Sequence, residues 1–220
     1  MKNTLLKIAV VCAGIILLVP SAFAAKEKTA ATDLSSEQIE ANYTKAIENR
    51  TADILKALAL DDTNQVSRVH DIIIAQYRAL NSWHDANDAK LKAARADTNA
   101  VAQIRASLKT LHDDFLSNLA ENLTPEQIEK VKDKMTYGKV QFTFAGYLAR
   151  YPNLSEVNKE KILEFLKQAR EEAMDGGSAS EKTAIFQRYK GRINNYLSTQ
   201  GIHPEKQNAT TATTNSAPLQ

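Results

Sequence analysis

The chain has 220 residues, with 28 Lys and Arg against 26 Asp and Glu, one Cys, seven Gly and five Pro. Its length suits one domain or two small ones, and a hydrophobic content of 43% excludes a wholly disordered chain. The net charge of +2 is too small for bulk attraction to nucleic acid, and a single Cys excludes an internal disulfide and any Cys-rich zinc module.

Residues 1–24 are predicted to be a cleaved secretory signal peptide. Lys2 and Lys7 supply a positive start, residues 8–19 form an apolar run, and a small-x-small cleavage site ends at Ala24. The alternative is a transmembrane anchor, but the run is shorter than the roughly 20 residues that a bilayer span needs. We therefore expect a periplasmic or secreted protein without stable membrane insertion after cleavage.

Removal of the leader changes the composition of the chain. A lipoprotein signal at Cys12 is a further alternative, but the preceding Val11 is not small and Cys12 lies early in the leader. Without residues 1–24, 26 basic residues face 26 acidic ones and no Cys remains. The absence of Cys avoids mispairing in an oxidising compartment, and it fits a bacterial periplasm.

The folded part of the chain is predicted to be helical. From Ala25 to Tyr137 there is no Gly, and Pro125 is the only Pro, whereas strands need frequent turn residues. Apolar residues recur at helical spacing in three stretches: Ile39, Tyr43, Ile47, Ile54, Leu55 and Leu58; Val66, Val69, Ile73, Tyr77 and Leu80; Val101, Ile104, Leu108, Leu111, Phe115 and Leu119.

Helix starts and ends are also marked in the sequence. Capping boxes are predicted at Ser35 with Gln38, at Thr124 with Gln127, and at Ser178 with Glu181. Further N-caps are predicted at Asp62 and Ser155, and helix ends at residues 175–177 and at Gly201.

Residues 139–151 fit two kinds of secondary structure. Val140, Phe142 and Phe144 alternate as in a strand, whereas a longer helical pattern runs from Val140 through Phe144 and Tyr147 to Tyr151. We favour a helix, because no partner strand is visible elsewhere. The expected architecture is one all-α domain over residues 34–200 with six or seven helices, a flexible lead-in at 25–33 and a disordered tail at 201–220.

The two halves of the chain differ in charge and in aromatic content. Residues 25–137 carry 15 basic and 18 acidic residues, whereas residues 138–220 carry 11 basic and 8 acidic ones. Nine of the 13 aromatic residues that follow the leader lie between Tyr137 and Tyr196, and no acid occurs from Lys182 to Pro204. A ligand site is therefore expected in the second half.

Aromatic rings beside Asn, Arg and Lys suit a carbohydrate, because the rings stack on sugars and the polar groups donate to hydroxyls or carboxylates. Nucleic acid would suit the same mixture, but we exclude it for a neutral exported protein. The simplest alternative is that the aromatics are core positions and the bases are a solvated face. The residues predicted to bind a ligand are Tyr137, Lys139, Tyr147, Arg170, Lys190, Arg192, Asn194, Asn195 and Tyr196.

Catalytic and metal sites are not expected. Glu171, Glu172 and Asp175 offer carboxylates for a glycosidase, which needs two of them about 5 to 10 Å apart across its substrate, but neighbours on one helix rarely enclose a sugar. His70 and His84 lie about 21 Å apart along one helix, so they cannot share a metal. The sequence also lacks a Gly-x-Ser-x-Gly motif, a Gly-rich phosphate loop and a Cys nucleophile. We therefore predict a non-enzymatic protein without metal or cofactor.

Four segments of the second half carry a family resemblance: Met135-Thr-Tyr-Gly-Lys-Val140; Gly146-Tyr147; Ala169-Arg-Glu-Glu-Ala-Met-Asp-Gly-Gly-Ser178; and Phe186-x-x-Tyr-Lys-Gly-Arg-Ile-Asn-Asn-Tyr-Leu197. The chain resembles a family of exported bacterial proteins of uncharacterised function, described as sugar-binding and found chiefly in polysaccharide-degrading gram-negative bacteria. The resemblance implies a carbohydrate context, and it brings no binding residues with it.

A second, shorter similarity is to periplasmic helical stress chaperones of the Leu-Thr-x-x-Gln type. It rests on Leu123-Thr124-Pro125-Glu126-Gln127. Those chaperones are basic, whereas this chain is neutral without its leader. The resemblance implies a periplasmic chaperone as the alternative function.

Overall fold

The computed structural model describes residues 35–204, and all of its regular secondary structure there is helical. The helices are α1 (Ser36–Leu58), α2 (Thr63–Ala93), α3 (Thr98–Ala120), α4 (Pro125–Met135), α5 (Lys139–Arg150), α6 (Glu156–Met174) and α7 (Ala179–Thr199). The all-α prediction is confirmed, with seven helices in the described range, and residues 139–150 are helical. The predicted leader (1–24), lead-in (25–33) and most of the predicted tail lie outside the described residues.

Two of the predicted capping boxes are complete. Ser35 Oγ accepts from the Gln38 N–H at 3.2 Å, and Gln38 Oε1 accepts from the Ser35 N–H at 2.9 Å. Thr124 and Gln127 repeat this exchange at 3.3 and 2.9 Å, directly before Pro125. Each box satisfies two backbone N–H groups, one of them among the orphan donors of the helix start, so local sequence sets where α1 and α4 begin.

The box predicted at Ser178 is only half present. Ser178 Oγ accepts from the Glu181 N–H at 3.0 Å, but the Glu181 carboxylate accepts from the Gly177 N–H at 2.9 Å instead of from Ser178. Glu181 therefore stabilises the Gly176–Gly177 turn between α6 and α7. At the other end of α7, Gly201 has a φ of +69°, and the Ile202 N–H bonds back to Leu197 O at 2.9 Å, which ends the helix as predicted.

The buried side chains form two clusters, one for each half of the chain. The first joins α1 to α4, with Ile47, Ile73 and Leu119 fully buried, and the second joins α5 to α7, with Ile162, Leu166 and Ile193 fully buried. Met174, at the end of α6, packs in the first cluster rather than in the second. Helix α6 therefore belongs to both cores and connects the two halves.

Arg170 makes a buried polar link between α4 and α6. Its side chain is 3% exposed, and its guanidinium donates to Asp133 at 2.6 Å, Glu129 at 2.5 Å and Glu171 at 3.2 Å. These charge-assisted bonds raise the pKa of Arg170 against the effect of burial, which acts to lower it. No helix of residues 35–204 combines the length and hydrophobicity of a membrane-spanning segment.

Candidate functional site

The structure brings together three of the nine predicted binding residues. Tyr147 of α5 and Lys190 and Asn194 of α7 line one groove of about 680 Å³, which we call the α5–α7 groove. The residues that line it are Phe142, Thr143, Ala145, Gly146, Tyr147, Arg150, Gln187, Lys190, Gly191 and Asn194.

A hydrogen bond between helices fixes one wall of the α5–α7 groove. The Tyr147 hydroxyl donates to Asn194 Oδ1 at 3.0 Å and lies 3.2 Å from Lys190 O. Burial raises the pKa of Tyr147 to about 12, so this hydroxyl keeps its proton at neutral pH. The Asn194 Nδ2 group has no partner within residues 35–204, and it remains a donor for a ligand.

An exposed aromatic ring and two cations complete the α5–α7 groove. Phe142 is 81% exposed, more than the other large apolar residues that the structure shows at its surface. Arg150 lies 5.9 Å from the Tyr151 ring centroid, and neither Arg150 nor Lys190 forms an ion pair with a carboxylate of the described residues. The groove therefore offers a free aromatic face beside several unused hydrogen-bond donors.

The remaining predicted residues on α6 and α7 have other roles. Arg170 is buried in the ion pairs between α4 and α6, where it does not reach the α5–α7 groove. Arg192 stacks on the Tyr189 ring at 4.5 Å. Tyr196 donates its hydroxyl to Asn158 Oδ1 at 2.8 Å and packs near Phe165, and Asn195 is exposed on α7.

Tyr137 and Lys139 lie at the junction of α4 and α5. Lys139 is the first residue of α5, and Tyr137 precedes it with a φ of +60°. Tyr137 lines two cavities, which also share Arg50 and Tyr77. We call the larger, of about 560 Å³, the Tyr137 groove. The smaller, of about 70 Å³, is the Lys182 pocket, which is bounded by α1, α2, Tyr137 and the α6–α7 turn.

The carboxylates considered for catalysis line a third cavity, of about 410 Å³, which we call the His112 cleft. His112 Nδ1 lies 3.0 Å from Asp175 Oδ1, and the Asp175 carbonyl accepts from His84 at 2.7 Å. Glu171 pairs with Lys132 at 3.0 Å. The hydrogen bond to Asp175 raises the pKa of His112. Together, the contacts of His84 and His112 with Asp175 form a polar network that joins α2, α3 and α6.

Glu172, the third carboxylate considered for catalysis, is also engaged, because it pairs with Arg188 of α7. Within residues 35–204, no group of three or more His, Cys, Asp or Glu side chains is placed to hold a metal ion. The sequence did not reveal that His84 and His112 meet at Asp175, because the three residues lie on different helices and no spacing relates them.

Two residues that the sequence analysis missed did carry a signal. Phe142 lies off the helical stripe from Val140 to Tyr151, and an apolar residue off the buried stripe of a helix is exposed. Lys182 lies three residues before Ile185 and seven before Tyr189, on the apolar stripe of α7. The position therefore predicts a buried lysine.

Comparison with family models found a match over residues 44–214, to the family described as a protein of unknown function (DUF3826). The match spans most of the chain. The chain belongs to this family. No curated protein sequence matches it. The DUF3826 description assigns no activity, so the function has to be argued from the cavities of the fold.

Proposed function

We propose that this DUF3826 protein is an exported, non-enzymatic carbohydrate-binding protein, and that its sugar site is the α5–α7 groove. The observation that supports the proposal most strongly is the exposed Phe142 ring in a groove with unpaired donors. A single exposed ring is common at protein surfaces, but an aromatic face inside a groove with a few polar donors is the combination that ligand sites show.

The groove offers both kinds of contact that a sugar requires. The Phe142 face suits the apolar C–H face of a pyranose ring, while Lys190, Arg150 and the Asn194 amide suit its hydroxyls. The Tyr147 bond holds Asn194 in place before a ligand arrives, which lowers the ordering cost of binding. The volume of about 680 Å³ is that of a ligand site rather than of a packing defect.

Export is supported by the composition of residues 1–24, which have the charged start, apolar run and small-residue cleavage site of a signal peptide. Expression of the full chain in a gram-negative host, followed by fractionation and N-terminal sequencing, tests this part. We expect a periplasmic or extracellular product that begins at Ala25. An uncleaved product in the cytoplasm would contradict it.

Calorimetric titration of the folded protein against neutral and acidic oligosaccharides tests the binding site. We expect Phe142→Ala to weaken oligosaccharide binding about tenfold, because burial and stacking of the ring together contribute about 1.4 kcal/mol or more. Val157→Ala is the matched control, since Val157 is also exposed and apolar but lies on α6 outside the groove. The absence of binding at millimolar ligand would refute the proposal.

The chaperone alternative has no structural observation of its own in its favour. Thr124 and Gln127 of the shared motif are used in the capping box of α4, and Leu123 is buried. Local helix capping therefore accounts for this short similarity. Suppression of client aggregation at near-stoichiometric ratio, without any oligosaccharide binding, would favour the chaperone function instead.

A further inference from the structure

The Lys182 pocket contains a buried cation that packing alone does not explain. Lys182 is 5% exposed, and its ammonium donates to Ala173 O at 2.7 Å and to Met174 O at 3.0 Å, at the end of α6. An ammonium has three donors, so one N–H is left without a partner in residues 35–204. The last carbonyls of α6 and the negative end of its dipole offset part of this charge, but no carboxylate of the described range pairs with it.

The nearest carboxylates do not serve as counter-ions for Lys182. Asp175 is bonded to His112 at 3.0 Å, and Glu181 accepts from the Gly177 N–H at 2.9 Å. Neither forms an ion pair with Lys182, although both act to raise its pKa from a distance. Burial outweighs them and lowers the pKa of Lys182 to about 8. The ammonium is thus charged at neutral pH and has no ion pair with a carboxylate of residues 35–204.

A second unpaired cation lines the same pocket. Arg50 of α1 is exposed, and its guanidinium lies 5.9 Å from the Tyr77 ring centroid without an ion pair to a described carboxylate. Its charge is among the causes that lower the pKa of Lys182. Two cations that face one cavity repel each other, and an anion between them would remove that repulsion.

The Lys182 pocket is large enough for an acidic group, and the Tyr137 groove is large enough for a sugar ring. About 70 Å³ holds a carboxylate group or a few waters, whereas the Tyr137 groove of about 560 Å³ shares the lining residues Arg50, Tyr77 and Tyr137 with it. Tyr77 and Tyr137 thus place aromatic surface where the two cavities meet.

The end of α4 presents the Tyr137 side chain to both cavities. The Tyr137 φ of +60° is a left-handed conformation that costs an L-residue with a Cβ roughly 1–2 kcal/mol, and the side chain is 48% exposed. The conformation ends α4, because the Tyr137 N–H bonds to Lys134 O at 3.1 Å and the Gly138 N–H bonds to Asp133 O at 2.8 Å. A tyrosine held in this conformation with half of its surface in water contributes little to the core, so its position suits a ligand contact.

We propose that the Lys182 pocket binds the carboxylate of an acidic sugar, with the sugar ring in the Tyr137 groove. Lys182 and Arg50 hold the carboxylate, and Tyr137 covers the ring. The choice of a sugar rests on the proposed carbohydrate function, whereas the choice of a carboxylate rests on the two unpaired cations.

The test is calorimetric titration of the folded protein with sodium D-galacturonate and sodium D-glucuronate. D-galactose, D-glucose and sodium acetate are titrated alongside, because they lack either the carboxylate or the ring. We expect binding of at least one uronate that exceeds both its neutral counterpart and acetate. In Arg50→Gln and Lys182→Met the uronate affinity should fall about tenfold or more, since a charged hydrogen bond is lost. Arg95→Gln removes an equal, exposed charge away from the pocket and should bind as wild type does.

The outcomes separate this site from the α5–α7 groove. Equal binding of uronate and neutral sugar, acetate binding as tight as uronate binding, or no uronate binding would overturn the inference even if oligosaccharides bind at Phe142. Loss of uronate binding in Phe142→Ala, with retention in Arg50→Gln, would overturn it as well. Because Lys182→Met alters a buried position, circular dichroism first checks its fold, and the surface variant Arg50→Gln decides the outcome if it does not fold.

Discussion

The α5–α7 groove and the Lys182 pocket combine the same chemistry in opposite settings. Both place aromatic rings beside cations that have no carboxylate partner, but Phe142 and Arg150 are exposed, whereas Lys182 is buried against two carbonyls. Exposed cations stay solvated, so they can contact many ligands but add little binding free energy to any of them. A buried cation that has no carboxylate partner favours one specific anion. Burial, more than composition, therefore separates a broad contact surface from a selective site.

The largest effect is expected at the link between the two halves. Arg170→Ala removes the guanidinium that joins Asp133 and Glu129 of α4 to α6. It should lower the free energy of unfolding by about 2–3 kcal/mol, because the charged hydrogen bonds of a buried guanidinium are lost, while its carboxylate partners are partly exposed and regain water. Urea unfolding followed by circular dichroism measures this. Arg188→Ala, which breaks an exposed pair with Glu172, should cost less than about 1 kcal/mol. Equal effects would contradict the role of Arg170.

A pair of glycine variants compares the packing around the two sites. A Cβ at Gly177 would lie 2.7 Å from His84 Cγ, whereas a Cβ at Gly191, in the α5–α7 groove, meets no atom within 4 Å. We expect Gly177→Ala to destabilise the protein by about 1–3 kcal/mol and Gly191→Ala to stabilise it by about 0.5–1 kcal/mol. Thermal unfolding of both variants is the measurement, and a Gly177→Ala variant as stable as wild type would show that the turn is not tightly packed.

His112 should make the stability depend on pH. The bond to Asp175 raises the pKa of His112, with Glu171 acting in the same direction and Lys132 against it. The stabilisation is therefore complete below pH 6.5 and is lost as the pH rises through the raised pKa. His112→Gln should cost about 1–2 kcal/mol at pH 5.5 and clearly less at pH 9. Urea unfolding at both pH values tests this, with exposed His203→Gln as control; a cost independent of pH would contradict it.

The smallest expected effect separates stability from binding. Tyr137 and Ala59 have φ values of +60° and +51°. Replacement of either by Gly should stabilise the protein by about 1 kcal/mol in thermal unfolding. Only Tyr137→Gly should also weaken uronate binding, because Ala59 ends α1 outside both cavities. If the two variants bind uronate equally well, Tyr137 takes no part in the site.

More of the fold than of the candidate sites could be predicted from the sequence. Capping residues such as Ser35 and Thr124 act locally, so they predicted where α1 and α4 begin. The aromatic and basic bias of the second half predicted Tyr147, Lys190 and Asn194 as binding residues, and the structure places these three in one groove. The meeting of His84 with His112 at Asp175 depends on how separate helices pack, which no spacing along the chain records.

The helical spacing of α7 also predicts that Lys182 is buried. The alternative of a solvated basic face would leave it in water, whereas its register with Ile185 and Tyr189 places it on the buried face of α7. The positive φ of Tyr137 has no comparable signal, because that conformation is set by the junction of α4 and α5 rather than by a glycine at the same position.

Chemical-shift mapping by NMR tests the central claim of carbohydrate binding most directly. Gly146 and Gly191 line the α5–α7 groove, whereas Gly176 and Gly177 line the Lys182 pocket, so four glycine amides report on the two sites. A neutral oligosaccharide at millimolar concentration should shift the amides of Gly146 and Gly191 in a saturable way and leave Gly176 and Gly177 in place. If the folded protein shows no shift at Gly146 and Gly191 with any oligosaccharide tested, the groove is not a sugar site.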